Sequence, residues 1–414
     1  MKRPTIDSVR AALPALDELR PVLDQLIADS APDDGRAWAG SGALASVDDR
    51  LVDGDALAAA TDTLAEREAA HTSAVYATVS EAVTALGVGD EAAAARGFLH
   101  VFALEEKRDR FDAAEKWADA AVRAAERASD QELRSLALRR RGRARRACAR
   151  YRDGERDYER AFEISDAIGD VQGSAEAAIG TGNLLEDEGR WDDAEQWYRR
   201  ALAILDDMAE LTSERWHALL NLHVVQRAQG EVEESVTALR EAEAVATEIG
   251  ASEAAMFLEN AWGQWHLARG EHMEAIDRLR TALDRAEGTR ARVTIRLNLA
   301  QGFLQSSRTL DSVEEARRAE QAAIVGTAFG QLPEVYRLLG RAAATEGNPD
   351  AFVLFERALA LIDARGLPRI ERARTLEVYA LAEEQKGEVE SATALRREAT
   401  ELYAQLGIRP ARTR

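Results

Sequence analysis

The chain has 414 residues, of which 46% are hydrophobic, with eight prolines and one cysteine. A single hydrophobic core stops growing at about 250–300 residues, so this length requires either several domains or an elongated array. The formal net charge of −20 predicts a surface that repels nucleic acid and anionic membranes, except where basic residues cluster. The lone Cys148 excludes an internal disulfide framework and a zinc site built from several cysteines.

The N-terminal part of the sequence contains an amphipathic helical segment and a linker. The segment covers residues 1–29, is interrupted by Pro14 and Pro21, and is interpreted as a cap on the first repeat. The alternative is a detachable helix that docks on a partner or in a groove. Residues 30–55 are rich in Gly, Ser and Asp, which predicts a linker. The segment lacks the apolar core of a signal peptide, and no stretch approaches the ~18 apolar residues of a membrane helix, so we expect a cytoplasmic protein without membrane partners.

Residues 56–89 are predicted to form either one long helix or a degenerate additional hairpin. Ala74 and Thr78 fall near the places that small residues take in the hairpins further along the chain. The sequence leaves these two alternatives open.

A sequence pattern recurs at a nearly constant interval along residues 90–407. The copy from Gly189, GRWDDAEQWYRRALAIL, places a glycine before a turn and then aromatic and small residues at helical spacing. Each unit is therefore predicted to be an antiparallel helix hairpin, which buries its apolar stripe only by stacking on the next unit. The eight copies begin at Asp109, Ala149, Gly189, Gly230, Gly270, Ser307, Gly347 and Gly387.

A compact residue lies seven positions before the start of most copies, where it lets the two helices of a hairpin approach closely. Phe102 and His223 depart from this rule. The compact residues at this position are Gly142, Gly182, Gly263, Ala300, Gly340 and Ala380.

The stretch IGTGNLLEDEGRWDDAEQWYRRAL resembles a tetratricopeptide repeat. The residues that carry the resemblance are Thr181, Gly182, Gly189, Trp191, Ala194, Tyr198 and Ala201. The similarity covers residues 90–407, although the unit is longer here, at roughly 40 residues against about 34 in the common repeat. It implies an all-α superhelical solenoid of about eight antiparallel hairpins, which binds peptides or proteins along the concave surface of the first helices. It does not imply an enzyme.

Patterns that would carry catalysis or hold a cofactor fail on their spacing. IGTGN at Ile179 is not followed by the Gly-Lys-Ser/Thr of a phosphate loop. His266 and His272 are separated by a predicted turn, without His-Glu-x-x-His spacing. Cys148 lies among arginines that could activate a thiol, but we interpret it as buried and inert because no histidine is near in sequence. We therefore expect no catalytic residue, no metal and no cofactor.

A basic cluster in this acidic chain covers residues 134–152, on the first helix of the second repeat. Arg139, Arg143 and Arg146 are spaced by four and three residues and share one helical face. At the positions equivalent to Arg139 and Arg143, the neighbouring repeats carry no carboxylate. These two arginines are therefore candidates for pairing with a carboxylate or phosphate of a ligand.

Arg146, unlike Arg139 and Arg143, has carboxylates at the equivalent positions of neighbouring repeats. Its equivalents are Glu106, Glu186 and Arg227 in nearby repeats, so the sign of the charge alternates. Stacked helices that pair their charges would show this alternation, and we interpret Arg146 and Arg227 as parts of a structural ion ladder.

Amide side chains form a second candidate site on successive first helices. Amides carry both donors and acceptors, so such a row can hold the backbone of an extended peptide, or it can bond across helices. These residues are Asn183, Asn221, Asn260, Asn298, Gln264 and Gln301. Arg337 and Arg341 form a further candidate pair, with Glu377 expected to neutralise Arg337.

We predict a non-catalytic interaction scaffold that binds an extended, partly acidic peptide or protein segment in its concave groove. The alternative is a ligand- or peptide-responsive regulatory sensor that acts on a separate effector protein. Nucleic-acid binding through residues 134–152 has local charge in its favour and the global charge against it.

The C-terminal end offers a possible surface for self-association. No capping helix follows the last hairpin, so several of its apolar side chains are expected to be partly exposed. They are Leu395, Leu402, Tyr403 and Leu406. Residues 408–414 form a basic tail.

Overall fold

The computed structural model describes residues 54–108, 110–148, 150–206, 213–325, 328–365 and 367–406. These residues form seventeen α-helices and one 3-10 turn, Phe329–Gln331, and contain no strand. None of the described helices combines the length and apolarity needed to cross a bilayer. The predicted N-terminal segment 1–29, nearly all of the predicted linker 30–55 and the basic tail 408–414 lie outside the described residues.

The helices follow one another with short connections, as expected of stacked hairpins. Residues 54–87 are one continuous helix, which packs on the next helix. In chain order the helices are α1 Gly54–Gly87, α2 Glu91–Glu106, α3 Phe111–Ala128, α4 Gln131–Ala147, α5 Tyr151–Ile168, α6 Val171–Glu188, α7 Trp191–Asp206, α8 Ser213–Ala228, α9 Val232–Glu248, α10 Ala254–Ala268, α11 His272–Arg285, α12 Thr289–Gln305, α13 Thr309–Val325, α14 Leu332–Thr345, α15 Asp350–Arg365, α16 Arg369–Lys386 and α17 Val389–Gln405.

The described residues divide into two compact units, with the boundary between Ala144 and Arg145. In the first unit α2 packs along α3. In the second unit the packed pairs are α6 with α7, α8 with α9, α10 with α11, α12 with α13, α14 with α15 and α16 with α17. The all-α repeat architecture predicted from the sequence is confirmed.

The turn between α6 and α7 shows why these residues form a hairpin. The Asp170 side chain accepts a hydrogen bond from the backbone N–H of Gly173 and caps the start of α6. Gly189 ends α6 with a φ of 79°, and its N–H donates to the carbonyl of Glu186. The chain then reverses into α7, which begins at Trp191.

Compact residues let the two helices of a hairpin approach closely, as predicted. A Cβ at Gly182 would lie 2.5 Å from Cε1 of Tyr198, and one at Gly340 would lie 2.7 Å from Cε1 of Phe355. Both aromatic side chains are fully buried in the space that the glycines leave open. His223, which departs from the pattern, is itself completely buried.

The apolar core runs from hairpin to hairpin. One cluster joins Trp216 of α8, Leu239 of α9 and Trp265 of α10. A second joins Val293 of α12 to Leu339 of α14. Because each cluster draws on more than one hairpin, no hairpin buries its apolar face alone.

Within the second unit, the first helices of the hairpins close into a ring. Each of α6, α8, α10, α12, α14 and α16 contacts the next in this order, and α16 also contacts α6. Trp191, at the start of α7, packs against a cluster that includes Ile370 and Leu376 of α16 and Tyr403 of α17. We call the surface that these six helices turn toward one another the ring interior.

This closure changes the expectation for the C-terminal end. Tyr403 is buried rather than partly exposed, because it packs on α16 and donates a hydrogen bond of 3.0 Å from its hydroxyl to Glu377 Oε2. Leu395, Leu402 and Leu406 are partly buried against the same cluster.

Candidate functional site

Two asparagine pairs join successive first helices. Asn221 Nδ2 donates to Asn183 Oδ1 at 2.7 Å, and Asn298 Nδ2 donates to Asn260 Oδ1 at 2.8 Å. The bonding across helices that the sequence analysis considered is therefore present. Each pair still leaves one amide N–H₂ group and one amide oxygen without a hydrogen bond to any described residue. The pairs thus hold donors and acceptors in place and leave half of them unused.

The two glutamines accept hydrogen bonds from arginines. Arg227 Nη2 donates to Gln264 Oε1 at 2.5 Å, and Arg341 Nη1 donates to Gln301 Oε1 at 2.5 Å. Among the described residues, no carboxylate forms an ion pair with either arginine. Burial lowers the pKa of both guanidinium groups. Arg227 is thus not the ion-ladder residue that the sequence predicted.

Arg337 pairs with a different carboxylate from the one predicted. Its Nη1 lies 2.8 Å from Glu371 Oε2, whereas Glu377 accepts the hydrogen bond of Tyr403. Burial disfavours the charged form of Glu371, but Arg337 and Arg374 outweigh it and lower the pKa of this carboxyl to about 2. The prediction failed because Arg337 on α14 contacts a residue of α16 that lies more than a helical turn before Glu377.

Arg146 belongs to an ion pair between repeats, with a shifted partner. Its Nε and Nη2 donate to the two carboxylate oxygens of Asp187 at 2.6 and 3.0 Å. Glu186, the residue at the equivalent position, instead accepts the hydroxyl of Tyr198 at 2.9 Å. Burial, and then the charge of Asp187, raise the pKa of Glu186 to about 7.

The structure corrects one prediction for the basic cluster. Arg143 was expected to lack a carboxylate, yet its Nε lies 2.5 Å from Glu106 Oε1. Glu106 is three residues beyond the equivalent position, Ala103, so the pair runs diagonally across two stacked helices. Arg139 is half-buried on α4. Both arginines belong to the first unit, whereas all the candidate amides belong to the second.

The candidate amides, together with Arg227, Arg337 and Arg341, lie on the helices that form the ring. Asn260 and Gln264 are four residues apart on α10, and Asn298 and Gln301 are three apart on α12, so each asparagine shares a helical face with a glutamine. Burial lowers the pKa of Arg227, the negative charge of Glu186 on α6 opposes this shift, and the positive charge of Arg374 on α16 adds to it.

Comparison with known proteins identifies the repeats. Residues 133–207 match the family model described as tetratricopeptide repeat. The chain carries tetratricopeptide repeats. The described hairpins beyond this segment continue the same tetratricopeptide architecture. No curated protein matches the sequence.

Two solved structures share this tetratricopeptide fold over most of the chain. A Rap protein complexed with competence and sporulation factor is 15% identical, with a TM-score of 0.57, and the match covers 81% of this chain and 99% of that one. The Rap conjugation gene regulator of the plasmid pLS20, in complex with the Phr* peptide, is 12% identical, with a TM-score of 0.55 and coverage of 76% and 90%. At these identities the likeness shows the fold alone.

Two contacts of the site could not be predicted by comparing equivalent positions of the repeats. The bond from Arg227 to Gln264 links side chains at different repeat positions, and the contact of Trp191 with α16 links segments far apart in the chain. A signal was present for the asparagines, because the chain contains only five and four of them form the two pairs.

Proposed function

We propose that this protein is a non-catalytic interaction scaffold whose ring interior binds an extended segment of a peptide or protein. The observation that carries the proposal is the two asparagine pairs. Each pair holds an unused donor and an unused acceptor, the two groups that a peptide backbone requires. Backbone recognition of this kind tolerates many ligand sequences, so charged groups near the pairs would supply the specificity.

A structural neighbour supports a peptide as the ligand. The pLS20 regulator, which shares the fold, was solved in complex with a peptide. Arg337 and Arg341 belong to the proposed contact surface because they lie on α14, the next helix of the ring after α12, and Arg341 donates a hydrogen bond to Gln301 of the amide row. Arg139 and Arg143, in the first unit, remain separate candidates for pairing with a carboxylate or phosphate, and Arg143 would first have to release Glu106.

The second candidate function is a regulatory sensor that acts on a separate effector protein. The observation that favours it is the closure of the ring, where Trp191 packs against the last repeat. A ligand in the interior would bear on that contact and could alter its stability. For a sensor, the rate of amide hydrogen exchange in α16 is expected to change when the peptide binds. For a rigid scaffold, that rate is expected to stay the same.

The test is selection from a phage-displayed library of random nonapeptides on the immobilised protein. We expect wild type to enrich a family of peptides, and the Asn221→Ala/Asn298→Ala variant to bind them at least tenfold more weakly, since two backbone contacts are lost. Asn348→Ala is the matched control because Asn348, the remaining asparagine, caps an exposed turn before α15. Absence of any enriched peptide, or equal binding by both variants, would contradict the proposal.

A further inference from the structure

Four successive first helices each contribute one polar side chain to a single row in the ring interior. The row runs from Arg227 on α8 through Gln264 on α10 and Gln301 on α12 to Arg341 on α14. Gln264 and Gln301 each directly follow the compact residue of their helix, so they occupy equivalent positions in adjacent repeats. The row therefore has a guanidinium at each end and two amides between them.

Neither arginine at the ends of this row forms an ion pair with a described carboxylate. Other arginines on the first helices lie beside carboxylates: Arg146, Arg296 and Arg337 have such partners at 2.6, 2.5 and 2.8 Å. Arg227 and Arg341 are bonded only to neutral amide oxygens. An arginine remains charged even when it is partly buried, so its desolvation is offset only when an anion binds.

The hydrogen-bonding groups of the row that remain unused are mostly donors. The arginines occupy the glutamine Oε1 atoms, so the glutamines present mainly their amide N–H₂ groups. Nε of Arg227 is buried and has no hydrogen-bond partner among the described residues. The row as a whole therefore offers donors and positive charge, which suits a ligand rich in acceptors and carrying negative charge at two places.

The surroundings favour carboxylates over phosphates. Burial lowers the pKa of Arg227, and the negative charge of Glu186 on α6 opposes this shift. A phosphate monoester carries close to two negative charges at neutral pH and would meet more repulsion there than a carboxylate. The Arg227 end of the row is therefore better matched to the single negative charge of a carboxylate.

The geometry of the ring sets the spacing of these charges. Packed helices lie about 8–10 Å apart, so three steps from α8 to α14 span at most about 25–30 Å, and the curvature of the ring shortens this distance. An extended chain advances about 3.3 Å per residue. The row thus fits a segment of about six to eight residues.

We propose, as a refinement that rests on the proposed function, that Arg227 and Arg341 bind two carboxylates placed near opposite ends of one extended peptide. The amides of Gln264 and Gln301 donate to its backbone carbonyls between them. In this assignment the acidic character of the ligand is recognised in the second unit, without a contribution from Arg139 and Arg143.

The experiment repeats the nonapeptide selection on wild type and on Arg227→Gln/Arg341→Gln. We expect the wild-type peptides to be enriched in Asp and Glu at two positions about five to seven residues apart. A selected peptide should lose about tenfold or more in affinity for each Glu→Gln change, as measured by fluorescence anisotropy. The arginine variant should bind the acidic peptide and its amide analogue equally.

The control variant is Arg156→Gln/Arg317→Gln, which removes the same charge from exposed arginines on α5 and α13. It should retain the preference for acidic peptides. The peptide analogues test the same contacts on unaltered protein, so the result does not depend on how the variants fold.

Several outcomes would overturn the inference. Selected peptides without acidic enrichment, or acidic peptides that the arginine variant binds as well as wild type, would refute the carboxylate row and leave the proposed function standing. Tighter binding when phosphoserine replaces a selected Glu would refute the assignment to single charges. Absence of any selected peptide would refute the proposed function together with this refinement.

Discussion

His223 occupies the position that glycine or alanine fills in most of the repeats, and its side chain is completely buried. Its Nδ1 lies 3.0 Å from the carbonyl oxygen of Ser235. Burial lowers the pKa of the imidazole to about 4, so the ring is neutral in the folded protein near neutral pH. An imidazole can fill this position only while it is uncharged.

Stability is therefore expected to fall in acid because of His223. The ordinary pKa of histidine is about 6.5, so between pH 6.5 and 4 the unfolded chain binds a proton that the folded protein excludes. The free energy of unfolding should decrease by up to about 3 kcal/mol as the pH falls through this window. Urea unfolding at pH 7.5 and 4.5 measures the decrease. His223→Gln should show a smaller decrease than wild type, and an equal one would contradict the assignment.

Gly182→Ala tests the close approach of two helices. The added Cβ would lie 2.5 Å from Cε1 of Tyr198, a fully buried ring whose hydroxyl also reaches Asn183 and Glu186. We expect a loss of about 1–3 kcal/mol in the free energy of unfolding, measured by urea denaturation. Gly87→Ala, where no atom lies within 4 Å of the added Cβ, is the control and should not destabilise the protein.

The contact between α14 and α16 depends on a partly buried ion pair. Arg337 lies 2.8 Å from Glu371, and the two side chains are only 11% and 22% exposed. Since the folded-state pKa of Glu371 is depressed to about 2, the contribution of this carboxylate is complete above its ordinary pKa and is lost as the pH falls toward 2.

Arg337→Gln should destabilise the C-terminal hairpins by about 2–4 kcal/mol, because Glu371 would lose the more buried of its two counter-charges and keep only Arg374. Thermal unfolding at pH 7 measures the effect. Arg317→Gln removes an exposed i,i+3 pair on α13 and should change stability by less than about 0.5 kcal/mol. A comparable loss in the two variants would show that the pair does not hold α14 to α16.

The hairpins were predictable from the sequence because their determinants are local. A glycine that allows a positive φ, a small residue seven positions earlier and an aromatic ring that fills the gap all lie within a single hairpin. The partners of charged residues were less predictable. Equivalent repeat positions suggested that Arg143 had none and that Glu377 neutralised Arg337. The actual partners, Glu106 and Glu371, lie three and six residues away from the equivalent positions.

The amides show a different limit. The sequence shows amides on successive first helices, and it allows both a peptide-binding row and bonding between helices. Only the structure shows that each asparagine pair forms a hydrogen bond between helices and also keeps one donor and one acceptor unused.

At the scale of the second unit, closure of the ring joins α6 and α7 to α16 and α17, which are separated in the chain by four intervening hairpins. No local pattern predicts such a contact, since it depends on the small rotation that each hairpin adds. Trp191 supplies apolar area to it, where it packs against Ile370, Leu376 and Tyr403.

Trp191→Ala is expected to loosen this closure. Loss of the indole removes on the order of 2 kcal/mol of apolar contact, so amides of α16 and α17 should exchange on the order of tenfold faster. Hydrogen-exchange mass spectrometry measures the change. Trp197→Ala is the control on the same helix, because Trp197 packs on Phe162 and Arg200 instead. Unchanged exchange in α16 and α17 would show that Trp191 does not hold the ring closed.

A closed ring also determines how a ligand arrives. A segment that passes through the ring can arrive end-first when one of its ends is free, but a segment held at both ends can pass through only when α16 separates from α6. Peptides with a free end should therefore associate at rates that rise in proportion to their concentration. The same sequence tethered at both ends should reach a ceiling rate, set by how often the ring opens.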